Sequence, residues 1–213
     1  MDSIHIHDQA ASNYDEQVQQ YDSYGHDVLF GMMYEFIRPG ERLLDIGIGT
    51  GLSSHSFARA GLRCFGVDGS RDMLAVCNAK HFSNGLLQFD ISQPPLPFSN
   101  SIFHIIIACG LFHFFSNLDH FFRDIKRIGS PESLFGFSVA GIPFSLQQHP
   151  AKDILHTPTA WGVNIYQHSE TYVQGLLNDF EFKLLKQQKL LIKSGTPDAD
   201  DLLFVIYVAQ KMP

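Results

Sequence analysis

The chain has 213 residues, 45% hydrophobic and 17% charged, which is enough for one well-cored domain and short of a comfortable two. Its formal charge is −7, the wrong sign for a protein that holds nucleic acid by neutralising phosphates. The acidity is local: before Glu41 seven acids face the single base Arg38, while the remainder carries fourteen bases and fifteen acids. Residues 1–40 therefore read as an acidic N-terminal arm on one domain spanning 1–213.

Cys64, Cys77 and Cys109 are odd in number and lack metal-ligand spacing, so neither a disulfide framework nor a metal site is expected, and a cytoplasmic setting fits. The most apolar stretch, 102–115, is interrupted by His104 and His113 and falls short of the ~18 residues of a spanning helix. The start Met-Asp-Ser-Ile-His lacks a signal-peptide layout. Membrane insertion is not expected.

From Arg42 onward short apolar runs alternate with amphipathic ones, the pattern of a parallel α/β sheet. Strands are expected over 42–46, 62–67, 85–89, 102–109 and 134–139, with helices over 53–59, 71–79 and 119–128 between them. The run 102–109 is apolar throughout, as in a central strand buried on both faces. Near the end, 180–192 and 202–209 are strand-like and joined through the turn-forming 194–198, which predicts an antiparallel hairpin. Between Ala140 and His168, Pro143, Pro150 and Pro158 discourage long helices, and the stretch reads as an irregular, substrate-side insertion.

The most informative segment is Asp45-Ile46-Gly47-Ile48-Gly49-Thr50-Gly51, lying after a strand and before a helix. Glycines there permit positive φ and close approach of backbone to a ligand. A dinucleotide loop would be G-x-G-x-x-G; this one is G-x-G-x-G with an acid before it. Asp45 would repel a pyrophosphate but can receive hydrogen bonds from an ammonium, which favours an amino-acid-bearing nucleotide without phosphates. Twenty-three positions on, Gly66-Val67-Asp68-Gly69-Ser70 ends the second strand with a carboxylate suited to a ribose diol.

Together these residues resemble the first motifs of the class I S-adenosylmethionine-dependent methyltransferases. Gln88-Phe89-Asp90-Ile91 and the Leu96-Pro97-Phe98 segment before the fourth strand are similar to later motifs of that family, and the resemblance runs from about Tyr14 to Val139. It implies a Rossmann-like, doubly wound, mostly parallel seven-stranded sheet ending in an antiparallel hairpin. It also implies S-adenosylmethionine as cofactor, S-adenosylhomocysteine as product, and a small-molecule acceptor of the ubiquinone/menaquinone-biosynthesis-like type. By the resemblance, Asp45, Gly47, Gly49 and Gly51 hold the methionine part, Asp68 and Gly69 the ribose, and Asp90 and Ile91 the adenine. Met73 either covers the adenine or is a core methionine.

One position departs from the family pattern: His104 stands where an acid is common, and reads as a histidine with a hydrogen-bond partner. Cys109 reads as a small residue packed by the sulfonium rather than as a nucleophile. His113 is the candidate general base by its ordinary pKa, against a ring stacked among Phe112, Phe114 and Phe115. His149, His156, His168, Trp161 and Tyr166 are candidates to line a substrate pocket, and His5 and His7 receive no role. Tyr14 and Tyr21 resemble lid tyrosines that fold over the cofactor, against an ordinary solvated helix. Two other classes stay open: an NAD-dependent oxidoreductase, and a non-catalytic methyltransferase-fold binding protein. Nothing in the sequence specifies the oligomeric state.

Overall fold

The structure, a computed structural model, describes residues 3–143, 153–158, 164–192 and 201–213. The linker 194–198, His149, Pro150 and Trp161 lie outside the described residues.

Three helices precede the first strand: α1 (Ser3–Ala10), α2 (Tyr14–Gln20) and α3 (Gly25–Met33). The alternating region then follows as β1 (Arg42–Ile46), α4 (Leu52–Arg59), β2 (Arg63–Asp68), α5 (Arg71–Ala79), β3 (Gly85–Gln88), β4 (Phe103–Ala108), α6 (Asp119–Ile128) and β5 (Gly129–Gly141). Local chemistry sets several of these ends. Ser70 caps α5 by accepting the Met73 N–H at 3.1 Å, and Gly61, at φ 94°, turns the chain after α4.

β3, β2, β1, β4 and β5 lie side by side in that order, all parallel. The order reverses between β1 and β4, which opens a crevice at their C-terminal ends where such sheets take ligands. After α7 (Glu170–Asp179), β8 (Phe182–Ile192) and β9 (Leu202–Lys211) form the expected antiparallel hairpin, and β9 pairs antiparallel with β5. Among the described residues, the seven strands of the anticipated Rossmann-like sheet are present, within a sheet that two further strands extend to nine.

The described parts of the stretch 140–168 are more regular than its prolines suggest. β6 (Ile154–Pro158) and β7 (Asn164–His168) pair antiparallel, and β7 joins β5 through Ala140–Gln167 and Gly141–His168. Ala140 also pairs with Phe204 of β9. A strand has two edges, so β7 must occupy the edge that β4 vacates after Ala108, beyond its last pairing with Phe137. The β6–β7 pair is thus set over the exit of β4, with Pro158 at the last pairing of β6, opposite Asn164.

The core lies on both faces of the sheet. Ile105 and Ile107 join Leu29, Met33 and Phe57 on one face, while Ile106 and Ala108 join Phe122, Phe135 and Phe137 on the other. α3 is therefore a core helix: Leu29 and Met33 are fully buried and press on Gly136. The loop from β3 to β4 is clamped by Arg127, which donates to Asp124 Oδ1 at 2.6 Å and to the carbonyls of Phe98 and Leu96 at 2.6 and 2.8 Å. Among the described residues no helix is long and apolar enough to cross a membrane.

Candidate active site

Asp45 sits in the middle strand, paired with Gly66 on one side and Ile107 on the other. The turn after β1 is tied to β2 by the Gly47 N–H donating to the Val67 carbonyl at 2.8 Å. Gly47, Gly49 and Gly51 all have positive φ, at 73°, 53° and 86°. Two of them are required by crowding as well. A Cβ on Gly47 would lie 2.9 Å from Leu111, and one on Gly51 2.6 Å from Phe82. A Cβ on Gly49 would meet no neighbour within 4 Å, so the middle of the loop leaves room for a ligand.

Two carboxylates face this space. Asp45 is 1% exposed; its Oδ2 accepts from the Ser54 hydroxyl at 2.5 Å, and its Oδ1 has no hydrogen-bond partner. Burial pushes its pKa up to about 7, with Ser54 opposing and Asp68 reinforcing the rise. Asp68 accepts the Gly49 N–H at 2.8 Å and the Ser70 N–H at 2.8 Å. Its pKa is raised by burial, against those two N–H groups and His7. The orphaned Asp45 oxygen and the open ground at Gly49 fit an amino-acid ammonium, and the remaining lone pairs of Asp68 fit a ribose diol. The residues present therefore suit S-adenosylmethionine.

The first two helices of the acidic arm lie across this edge. In α2, Asp15 accepts from the Thr50 hydroxyl and pairs with Lys80, while Tyr14 is half-buried beside it. Burial raises the Tyr14 pKa to about 12, and Cys109, Asp15 and Asp68 add to the rise. In α1, Asp8 accepts from the Ser70 hydroxyl at 2.5 Å, at the N-terminus of α5, where a negative charge is favoured. Ile4 covers Gly69, where an added Cβ would lie 2.7 Å from its side chain. His7 packs edge-on to Phe114 at 5.1 Å and acts on Asp68. Tyr21 stands further along, at the C-terminal end of α2.

The other anticipated positions divide. Asp90 is half-buried and its Oδ1 accepts from the Ser92 hydroxyl and N–H, which lowers its pKa. Ile91 packs against the larger core cluster, and Met73 is 2% exposed on the first turn of α5. Cys109 is half-buried, with the Ser138 hydroxyl at 4.0 Å and a pKa that burial raises to about 11, so it is no nucleophile in this state. His104 lies at the opposite end of the sheet, where it accepts the Arg42 N–H at 3.2 Å.

Of the two readings of His113, the structure favours the ring packed among aromatics. It lies in the short 3-10 turn Phe112–Phe114 after β4, its ring 4.0 Å from that of Phe114 and 5.5 Å from that of Phe204. Burial, with smaller effects from His7 and His168, lowers its pKa to about 3, so the near-neutral base read from its ordinary value is not what this arrangement provides. His156 is exposed on β6, 6.2 Å from Tyr166, whereas His168 is buried.

Sequence reasoning passed over Asp8, Asp15, Ser54, Thr50 and His7. The acids were visible as arm charge, but their partners are 62 and 65 positions away, so no local pattern pairs them. Cavity size does not mark the site either: the larger of two described cavities, about 440 Å³, opens beside His104 and Glu132 at the far end.

Residues 44–137 match the family model described as a methyltransferase domain. With the strand order and the loop above, this makes the region similar to the class I S-adenosylmethionine-dependent methyltransferases. Among curated proteins it is similar to a demethylmenaquinone methyltransferase of Tropheryma whipplei, 32% identical over 97 residues, which is 45% of this chain and 40% of that protein. Among solved structures, a Haloferax volcanii complex of the Trm112 methyltransferase activator with a methyltransferase superposes with a TM-score of 0.77 at 16% identity, covering 99% of this chain and 98% of that one. The 1,6-didemethyltoxoflavin-N1-methyltransferase of Burkholderia thailandensis, solved with its substrate and S-adenosylhomocysteine, gives 0.71 at 16% identity, covering 97% and 86%. The structural likenesses show the fold, and the curated match spans about two fifths of its relative's length.

Proposed function

We propose that the chain is an enzyme that transfers the methyl group of S-adenosylmethionine to a small-molecule acceptor. The observation that carries this reading is the pair of buried acids around an open glycine turn: Asp45 with an unpartnered oxygen, and Asp68 fixed by the Gly49 and Ser70 N–H groups. An NAD-type pyrophosphate would face Asp45 directly, which disfavours the oxidoreductase alternative.

The cofactor, when bound, supplies an activated methyl on a sulfonium. The chain's part is to hold it, orient the acceptor and keep water out. Asp45 takes the ammonium, Asp68 and Gly69 the ribose, and Asp90 with Ile91 the adenine. Met73, buried on the first turn of α5, would back the adenine pocket. Tyr14 and Tyr21 would help to enclose the cofactor, with α1 and α2 acting as a lid. The hairpin β6–β7 stands on the acceptor side. His113 orients the acceptor instead of titrating near neutrality.

A cytoplasmic, single-domain enzyme without nucleic-acid or membrane partners is the setting we propose, supported by three free thiols and the −7 charge. Calorimetric titration tests the reading: S-adenosylhomocysteine binds and NAD does not. Tight NAD binding with no response to S-adenosylhomocysteine would overturn it.

A further inference from the structure

Past the end of β4 two imidazoles, His168 buried and His113 half-buried, carry buried ring nitrogens without the partners that buried polar groups require. His168, the last residue of β7, is 1% exposed, and neither ring nitrogen has a hydrogen-bond partner. The carbonyls of Phe115 and Ser116 lie close to its ring but outside hydrogen-bond geometry. The Nδ1 of His113 is likewise buried and unpartnered. β7, which ends at His168, packs against the turn that carries His113, so the two rings stand on touching elements. Leaving such a group unsatisfied carries its full desolvation penalty, and two on neighbouring elements at a ligand-binding edge call for a shared partner.

The surroundings narrow that partner's chemistry. His168 stacks on Tyr172 at 5.4 Å and 19°, and His113 packs on Phe114 and Phe204, so the walls are aromatic. The groups whose charge acts on His113 are His7 and His168, and among the described residues no lysine, arginine or carboxylate is among those acting on either ring. Burial holds both imidazoles neutral at pH 7, with pKa values lowered to about 3 and about 4. A neutral imidazole offers one N–H and one lone pair. Two of them match a hydroxyl, which both donates and accepts; an anion would lack a cation here and would approach Asp68, which His7 links to this cluster.

We infer that His113 and His168 bind the methyl acceptor, and that this acceptor is an uncharged aromatic compound whose ring hydroxyl sits between the two imidazoles. The inference rests on the methyl-transfer reading for the identity of the ligand, but not for its chemistry. α1 covers the cluster through the contact of His7 with Phe114, so the ligand enters where α1 now lies. Recognition of the hydroxyl specifies no acceptor atom.

The test is equilibrium binding to the full chain of three probes of one size: 2-naphthol, naphthalene and 2-naphthoate, each with and without saturating S-adenosylhomocysteine. The neutral phenol should bind at least tenfold tighter than either analogue, because a site built around a hydroxyl leaves its own polar groups unpaired with the others. His168→Phe should shrink that preference below threefold with S-adenosylhomocysteine affinity unchanged, and His168→Gln should restore part of it. In wild-type protein labelled with 15N-histidine, 2-naphthol should shift the ring signals of His113 and His168, a readout that does not depend on any variant folding. Equal binding of the three probes, preference for 2-naphthoate, or unmoved ring signals would overturn the inference. Failure of S-adenosylhomocysteine to bind would instead sink the methyl-transfer reading, and the probe comparison without it would still decide this one.

Discussion

The Thr50 hydroxyl, inside the glycine turn, donates to Asp15 Oδ1 at 2.6 Å, and the other Asp15 oxygen pairs with Lys80 at 2.5 Å. One acid of the arm therefore joins the lid helix α2 to both the cofactor loop and the end of α5. Asp15 and Lys80 side chains are 34% and 27% exposed, so solvent screens the pair and about 1 kcal/mol is its expected worth. Asp15→Ala should speed S-adenosylhomocysteine dissociation about fivefold in stopped-flow measurements. Association should change less, since the latch forms after entry. An unchanged dissociation rate would mean that α2 does not retain the cofactor.

Asp45 couples binding to stability. Its carboxyl rises from 3.8 unfolded to about 7 folded, mainly by burial. A raised carboxyl favours the fold at low pH, and that advantage is lost as pH climbs from about 4 through 7. Asp45→Asn should therefore raise the Tm of the ligand-free protein at pH 8, on the order of 2–4 kcal/mol in stability. The gain should vanish near pH 4, while S-adenosylhomocysteine binding is lost. Calorimetric melts at both pH values check the sign. A lower Tm at pH 8 would show that the ionised form is stabilised by something other than Ser54.

What was legible in the sequence was local. α5 and α6 begin and end where their composition places them, and Ser70 and Gly61 mark boundaries through chemistry that a few residues carry. Asp45, Asp68 and the three glycines meet because strand ends of a parallel sheet share one edge. The hairpin of β6 and β7 was not legible, since its place depends on β5 outrunning β4. The role of His7 was hidden for a similar reason: its neighbours Phe114 and Asp68 come from distant strand ends. His113 shows the limit of ordinary pKa values, because the apolar rings around it were readable but their effect on its titration was not.

The arm divides at Tyr24, and truncation should show it. α1 and α2 touch Gly69, Ser70 and Thr50, whereas α3 buries Leu29 and Met33 in the core. Removing residues 1–20 should leave a cooperatively folded protein whose S-adenosylhomocysteine affinity falls about tenfold or more. Removing 1–40 exposes the face that α3 covers, and should cost several kcal/mol through lost burial of Leu29 and Met33 alone. Circular dichroism melts with calorimetry on both truncations separate lid from core. If both fold equally well, α3 is not part of the core.

Asp68 offers the sharpest single substitution. Both its oxygens already hold backbone N–H groups, from Gly49 and Ser70, so it shapes the glycine turn as well as meeting the ribose. Asp68→Ala should weaken S-adenosylhomocysteine binding by ~1.5–3 kcal/mol, the scale of hydrogen bonds to a charged group. Asp68→Asn keeps the shape and one acceptor oxygen, so it should recover part of that loss. A ribose contact predicts that 2′-deoxy and 3′-deoxy analogues of S-adenosylhomocysteine bind the wild type more weakly but bind Asp68→Ala no worse than the parent compound. If the deoxy analogues are discriminated equally by both proteins, Asp68 holds the loop and another group reads the diol.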